Sequence, residues 1–238
     1  MGSSIMPSGR EICSMAPFEF ISQRNRERYF KIVGPVADLF ARAGIHPNIL
    51  SIAGLLLSIA AGLIYCHGNF FWAAWVVILS GVCDTLDGRI ARQTNKKSDF
   101  GAFFDSTLDR YSDMFLFIGL AYYFAGGRAF LMPAQNPGHL EVSPWTVTAI
   151  IFAIAGSFMV SYTRARAEGL GMECKAGMMQ RPERITLLVI GSLLGAIPVI
   201  GILLLKLVLL ALAISTNLTA AYRIAFIKNR MFRNDQAK

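Results

Sequence analysis

The sequence predicts an all-α membrane protein in which six transmembrane helices follow an N-terminal amphipathic helix. Of its 238 residues, 54% are hydrophobic and only 16% are charged, whereas about a quarter of a soluble domain is charged. Each of six apolar segments approaches or exceeds the roughly 20 residues that a helix needs to cross a bilayer. The segments are residues 48–66, 70–92, 100–126, 145–167, 184–203 and 204–227.

The segment before the first span is expected to lie on an anionic membrane surface. Residues 17–47 mix aromatic and aliphatic residues with arginines at roughly helical spacing, which is typical of an interfacial helix. A soluble cap helix is the alternative. We interpret residues 1–16 as a disordered start or an expression remnant, residues 48–228 as the six-helix catalytic domain and residues 229–238 as a basic tail.

The boundary between the fifth and sixth segments is the weakest in the pattern. Only Gly195, Pro198 and Gly201 interrupt the apolar run there. Glycine and proline are the residues that most often end a helix, so a break is predicted in this region, close to residue 203 or several residues earlier.

The positive charges lie on alternate connections. The chain has a net charge of +8, and its arginines and lysines cluster before the first segment, between the second and third, between the fourth and fifth, and after the sixth. Six spans place all these clusters on one side, which the positive-inside rule makes cytoplasmic. The charge pattern therefore favours a membrane protein over one that binds nucleic acid. We expect an integral protein of a prokaryotic plasma membrane.

Neither cysteine nor histidine is spaced as a metal ligand set. The four cysteines form no CxxC pair and the three histidines are far apart in the sequence, so we expect free thiols and no histidine-based metal site.

Four aspartates on two successive segments are the candidate reaction centre. Asp84 and Asp87 are three residues apart, and Asp105 and Asp109 are four apart, so each pair lies on one face of a helix. Four unpaired acids at full membrane depth would cost roughly 10 kcal/mol. Divalent cations would remove this cost, and carboxylates suit Mg²⁺ or Mn²⁺ together with a phosphate-bearing substrate. Helix-end acids that pair with nearby arginines are the alternative.

The residues around these aspartates resemble a family signature. The pattern D-x-x-D-G-x-x-A-R, then eight residues, then G-x-x-x-D-x-x-x-D is similar to that of the CDP-alcohol phosphotransferases. All eight fixed positions are present over 26 residues. They are Asp84, Asp87, Gly88, Ala91, Arg92, Gly101, Asp105 and Asp109.

The resemblance implies a two-metal enzyme that joins a CDP-activated lipid, CDP-diacylglycerol or CDP-archaeol, to an alcohol and releases CMP. It implies that Asp84, Asp87 and Asp105 hold two Mg²⁺ or Mn²⁺ ions, with Asp109 as a further ligand and as the general base. It also implies an active site that faces the cytoplasm, and a homodimer. The residues expected to contact the CDP-lipid are Pro47, Asn48, Ile49, Leu50, Gly88, Ala91, Arg92, Ser98 and Gly101.

Three arginines on the predicted cytoplasmic side bear on the acceptor. Arg164, Arg184 and Arg223 would suit a second phosphate, carried by a polyol acceptor. This part resembles the family branch that takes inositol 1-phosphate, and the branch that takes glycerol 3-phosphate is the alternative. Alternatively, these arginines follow only from the positive-inside rule and bind no substrate. A divalent-cation transporter is the remote alternative from another class, because acids within helices often mark ion paths.

Overall fold

The part of the chain that the structure describes is all α-helical, with seven helices and no strand, which confirms the all-α part of the prediction. The computed structural model describes residues 34–44, 46–94, 98–127, 141–172, 174 and 177–236. A short helix, α1, covers residues 34–42. The longer helices are α2 (Pro47–Cys66), α3 (Phe70–Gln93), α4 (Asp99–Phe124), α5 (Pro144–Glu168), α6 (Arg181–Gly195) and α7 (Gly201–Gln236).

Local sequence explains where the helices begin. The side chain of His46 accepts a hydrogen bond from the backbone N–H of Asn48, and Pro47 occupies the first turn of α2. The hydroxyl of Ser98 accepts from the backbone N–H of Gly101 and caps α4 in the same way. Capping satisfies N–H groups that have no partner within the helix, and proline is tolerated where no such partner exists.

The six long helices form a closed ring. α2 packs against α3 and α4, α3 packs against α6, α4 against α5, and α5 and α6 both pack against α7. α3 and α4 both pack chiefly against α2, so their aspartates meet across the end of the ring.

Small and polar residues let the helices approach closely. A Cβ atom built on Gly62 would lie 2.5 Å from the backbone oxygen of Phe115, so α2 and α4 touch at their backbones there. The hydroxyls of Tyr65 on α2 and Ser192 on α6 are 2.5 Å apart and buried. Close backbone contact at glycine and hydrogen bonds between helices are typical of membrane bundles.

The break between the last two helices comes earlier than the sequence suggested. α6 ends at Gly195 and α7 begins at Gly201, so residues 196–203 do not continue the fifth helix. Pro198 lacks an N–H donor, and Val199 adopts a positive φ of 71°, a conformation that a helix cannot contain. The last helix runs on to Gln236, so it includes residues 229–236.

Among the described residues, four helices are long and apolar enough to cross a membrane: α2, α3, α5 and α7. The other two long helices differ for visible reasons. α6 has 15 residues, and α4 carries five charged ones. Large apolar side chains cover the outside of the ring, and three exposed tryptophans lie near the helix ends that are farthest from the aspartates, Trp72, Trp75 and Trp145. An apolar surface and tryptophans near one end are typical of membrane proteins.

The segment before α2 is described only in part. Residues 17–33 of the predicted amphipathic helix lie outside the described residues, as does the predicted disordered start. Residues 34–42 are helical and are followed by a turn, so α1 and α2 are separate helices. Ala37 of α1 packs with Leu50, Leu86 and Ile90 in a small apolar cluster. This cluster fixes α1 against the ring end that bears the aspartates.

Candidate active site

The four predicted aspartates lie at the end of the ring where α3 finishes and α4 begins. Asp84 and Asp87 project from the last turns of α3, and Asp105 and Asp109 from the first half of α4. Asp84 is close enough to each of the other three to repel its charge. The structure therefore brings the two sequence pairs together into one acidic cluster.

One arginine links the two helices that carry this cluster. A single guanidinium nitrogen, Nη1 of Arg181, donates to Asp84 and lies 2.9 Å from Oδ1 of Asp109. Arg181 begins α6, which packs beside α3. A positive charge is thus held between the carboxylates, which is what electrostatics requires of several acids in one place.

Asp87 is the most buried of the four, with 5% of its surface exposed. The hydroxyl of Ser51 on α2 donates to its Oδ2 over 2.7 Å. A hydrogen bond from a neutral donor satisfies one lone pair and fixes the direction of the other oxygen. Ser51 therefore orients Asp87 toward the rest of the cluster.

The acidic cluster offers the right donor atoms for divalent metal, although no three His, Cys, Asp or Glu side chains among the described residues close on a single point. Hard carboxylate oxygens on two helices match the ligands of Mg²⁺ and Mn²⁺. The oxygens of Asp84 and Asp109 already accept a cationic group, Arg181. The carboxylates therefore suit a metal ion. Such an ion would have to displace the guanidinium of Arg181, so the ion and Arg181 compete for the same oxygens.

The predicted CDP-lipid residues converge from two helix starts. A Cβ on Gly101 would lie 3.0 Å from Oγ of Ser98 and 3.8 Å from Oδ1 of Asn48. The first turns of α2 and α4 are therefore in contact beside the aspartates. Pro47 is buried at the start of α2, and Ile49 is exposed.

The remaining predicted CDP-lipid residues differ in role. Arg92 is exposed at the end of α3, and a Cβ on Gly88 would lie 4.0 Å from its Nη2, so this face of the helix is open. Ala91 is partly buried. Leu50 belongs to the buried apolar cluster with α1, which makes it a packing residue.

The three predicted acceptor arginines also come together. Arg164 and Arg184 both lie near enough to Arg223 to repel its charge. Arg184 and Arg223 are buried, with 4% and 2% of their surfaces exposed, whereas Arg164 is half exposed and pairs with Glu168. Arg223 donates to the backbone oxygen of Val160, which ties α7 to α5. Burying a guanidinium costs free energy unless the group is paired, and Nη2 of Arg184 lies 2.8 Å from Oδ2 of Asp113.

Sequence reasoning missed three members of the site. Arg181 lies three residues before Arg184 on the same helix face, and Asp113 continues the four-residue spacing of Asp105 and Asp109. Periodicity along the helices could have found both. Ser51 carries no such signal, because a serine within an apolar helix more often bonds to its own backbone.

A protein-family model matches most of the chain, including the four aspartates of this site. Residues 44–222 match the model of the CDP-alcohol phosphatidyltransferases. The chain belongs to this family. It is therefore a phospholipid-synthesising enzyme, and the cation-transporter alternative no longer applies.

Several relatives of this phosphatidyltransferase are inositol phosphate lipid synthases. A phosphatidylinositol phosphate synthase of Streptomyces avermitilis is 29% identical over 243 aligned residues, covering 100% of this chain and 94% of the relative. An archaetidylinositol phosphate synthase of Methanothermobacter thermautotrophicus is 36% identical over 165 residues, covering 69% of this chain and 73% of the relative.

The fold of this phosphatidyltransferase also matches solved structures. The phosphatidylinositol phosphate synthase of Mycobacterium tuberculosis with CDP-DAG bound superposes with a TM-score of 0.69 and 30% identity, covering 82% of this chain and 92% of that one. The same enzyme in complex with manganese and citrate superposes with a TM-score of 0.69 and 29% identity, covering 81% of this chain and 87% of that one.

Proposed function

We propose that this enzyme transfers the phosphatidyl group of a CDP-lipid, or its ether-lipid equivalent, to inositol 1-phosphate and releases CMP. The observation that carries the proposal is the buried pair Arg184 and Arg223 beside the four aspartates. Arg184 already pairs with Asp113, and a phosphate on the acceptor would add a further charge-assisted partner for this group of arginines. The names of the relatives support the same acceptor.

The acidic cluster is proposed to hold two Mg²⁺ or Mn²⁺ ions, with Asp84, Asp87 and Asp105 as ligands and Asp109 as a further ligand. When bound, the ions would neutralise the diphosphate and the departing CMP. The manganese in the mycobacterial complex supports a divalent metal here. Ser51 would keep Asp87 in a ligating orientation through its hydrogen bond.

Asp109 is proposed as the general base. It accepts the proton of the acceptor hydroxyl, whose oxygen forms a bond to the β-phosphorus while the bond from that phosphorus to the CMP oxygen breaks. The position of Asp109 in the acidic cluster, near Asp84 and Asp105, supports this role, since a base must lie beside the proposed metal ligands to reach the acceptor hydroxyl. Catalysis then depends on placing the two substrates in line beside it.

The CDP group is proposed to bind where the first turns of α2 and α4 meet, with Arg92 and Gly88 of α3 opposite. The contact of Ser98, Gly101 and Asn48 supports this location. Backbone N–H groups at a helix start favour phosphate. Ile49, which is exposed beside Asn48, would face the nucleotide or its lipid.

The membrane arrangement is proposed to comprise six spans with the active site at the cytoplasmic face of a prokaryotic plasma membrane. Four qualifying helices, the ring topology and the basic residues at the aspartate end support it. The segment before α2 would lie on that face, and a homodimer is expected from the family.

An acceptor panel tests the proposed function. The purified protein in detergent receives CDP-diacylglycerol, Mg²⁺ and one of five acceptors: inositol 1-phosphate, glycerol 3-phosphate, inositol, glycerol or serine. We expect CMP release and a phosphorylated inositol lipid with the first acceptor only. Faster reaction with glycerol 3-phosphate would assign the enzyme to the branch that takes that acceptor. If only unphosphorylated inositol gave product, the proposal that Arg184 and Arg223 bind an acceptor phosphate would be refuted.

A further inference from the structure

A fifth aspartate, Asp113, lies beyond the family motif and is almost fully buried, with 4% of its surface exposed. Its Oδ2 accepts hydrogen bonds from Nη2 of Arg184 over 2.8 Å and from the hydroxyl of Ser157 over 3.0 Å. Its Oδ1 faces Nε of Arg181 at 3.5 Å. One carboxylate thus joins α4, α5 and α6.

Asp113 contacts two arginines, Arg181 and Arg184, that belong to different parts of the site. Arg181 reaches from Asp113 to Asp84 and Asp109 in the acidic cluster. Arg184 donates to Asp113 and lies near Arg223, one of the arginines proposed to bind the acceptor. Asp113 therefore lies between the reaction centre and the acceptor arginines, and its charge offsets the burial of both guanidinium groups.

The geometry of Arg184 leaves a donor available. Its guanidinium is planar, so the bond from Nη2 to Asp113 limits the directions in which the other nitrogens can point. Nε of Arg184 is buried and has no hydrogen-bond partner among the described residues. A buried donor without a partner is costly, and a phosphate oxygen would satisfy it.

We propose that Asp113 is a positioning residue that holds Arg184 in the orientation in which it binds the phosphate of the acceptor. The inference rests on the proposed function, because it assumes a phosphorylated acceptor. Asp113 touches neither substrate. It acts through Arg184, and the hydroxyl of Ser157 holds Asp113 itself in place.

The test separates the two Michaelis constants. Asp113→Asn keeps the size of the side chain and removes its charge. We expect the KM for inositol 1-phosphate to rise at least ten-fold while the KM for the CDP-lipid stays within about two-fold. The hydrogen bond that is weakened goes to Arg184, whereas Arg181 is 3.5 Å from Asp113 and keeps its contacts with Asp84 and Asp109. Ser157→Ala, which preserves the charge, should raise the acceptor KM less. Equal rises in both constants would overturn the inference.

A double-mutant cycle with Arg184→Ala decides whether Asp113 acts through Arg184. Arg184→Ala alone should raise the acceptor KM, and adding Asp113→Asn should change it by less than two-fold, because the target of the positioning is gone. Independent effects that multiply would overturn the inference. If Arg184→Ala leaves the acceptor KM unchanged, Arg184 does not bind the acceptor phosphate, and both that proposal and the inference about Asp113 are refuted.

The controls distinguish positioning from folding. Glu141→Gln removes another carboxylate–cation pair, with Lys206 at 2.6 Å, at the opposite end of the ring. It should leave both KM values unchanged. If Asp113→Asn does not yield folded protein by size-exclusion chromatography, Ser157→Ala decides the case: an unchanged acceptor KM in that variant would overturn the inference.

Discussion

Removal of Arg181 should strengthen metal binding while it weakens the metal-free fold. Nη1 of Arg181 contacts Asp84 and lies 2.9 Å from Asp109, and the side chains of all three residues are about one-fifth exposed. A metal ion that uses these carboxylates must displace the guanidinium. The same residue therefore stabilises the protein in the absence of metal and opposes the metal.

The size of the effect follows from partial burial. Breaking a buried ion pair costs about 3–5 kcal/mol and breaking an exposed one about 0–1, so about 2 kcal/mol is reasonable for Arg181. If metal binding no longer has to overcome this interaction, Arg181→Gln should lower the Kd for Mn²⁺ roughly thirty-fold, at 1.4 kcal/mol for each factor of ten. The thermal unfolding midpoint in EDTA should fall in the same variant.

The assay is a Mn²⁺ titration followed by electron paramagnetic resonance on protein in detergent, together with thermal unfolding in EDTA. Lys206→Gln is the matched control, because it breaks the distant pair with Glu141 and should lower stability without changing the Kd. An unchanged or higher Kd for Mn²⁺ in Arg181→Gln would refute the competition.

Three further predictions concern single side chains. Asp109→Asn should abolish turnover yet leave CDP-lipid binding, measured by equilibrium titration, within a few-fold of wild type; retained turnover would exclude Asp109 as the base. Ser51→Ala removes the 2.7 Å hydrogen bond to Asp87 and should weaken Mn²⁺ binding roughly ten-fold, whereas an unchanged Kd would show that Asp87 needs no support. Gly62→Ala places a Cβ 2.5 Å from the backbone of Phe115 and should lower stability by about 2 kcal/mol; Gly81→Ala, where the Cβ meets nothing within 4 Å, is its control in thermal unfolding.

The helices and the four aspartates could be predicted because each depends on local pattern. Long apolar runs mark α2, α3 and α5, and spacings of three and four residues place each aspartate pair on one helix face. The break before α7 was placed too late, because an apolar run hides the effect of Pro198 and Val199 on backbone geometry.

The contacts between distant helices could not be read from the sequence. Arg181 and Asp84 are 97 residues apart, and Ser157 and Asp113 are 44 apart. Their meeting depends on the order of helices around the ring, which places α6 beside α3 and α5 beside α4.

The central claim is that the four aspartates form a divalent-metal centre, and anomalous diffraction tests it directly. Crystals grown with Mn²⁺ and a CDP-lipid would be measured at the manganese edge. We expect two anomalous peaks, each within about 2.2 Å of carboxylate oxygens of Asp84, Asp87, Asp105 or Asp109, with Arg181 turned away from Asp84. Ordered CDP-lipid without an anomalous peak at these aspartates, or manganese bound elsewhere, would contradict the account.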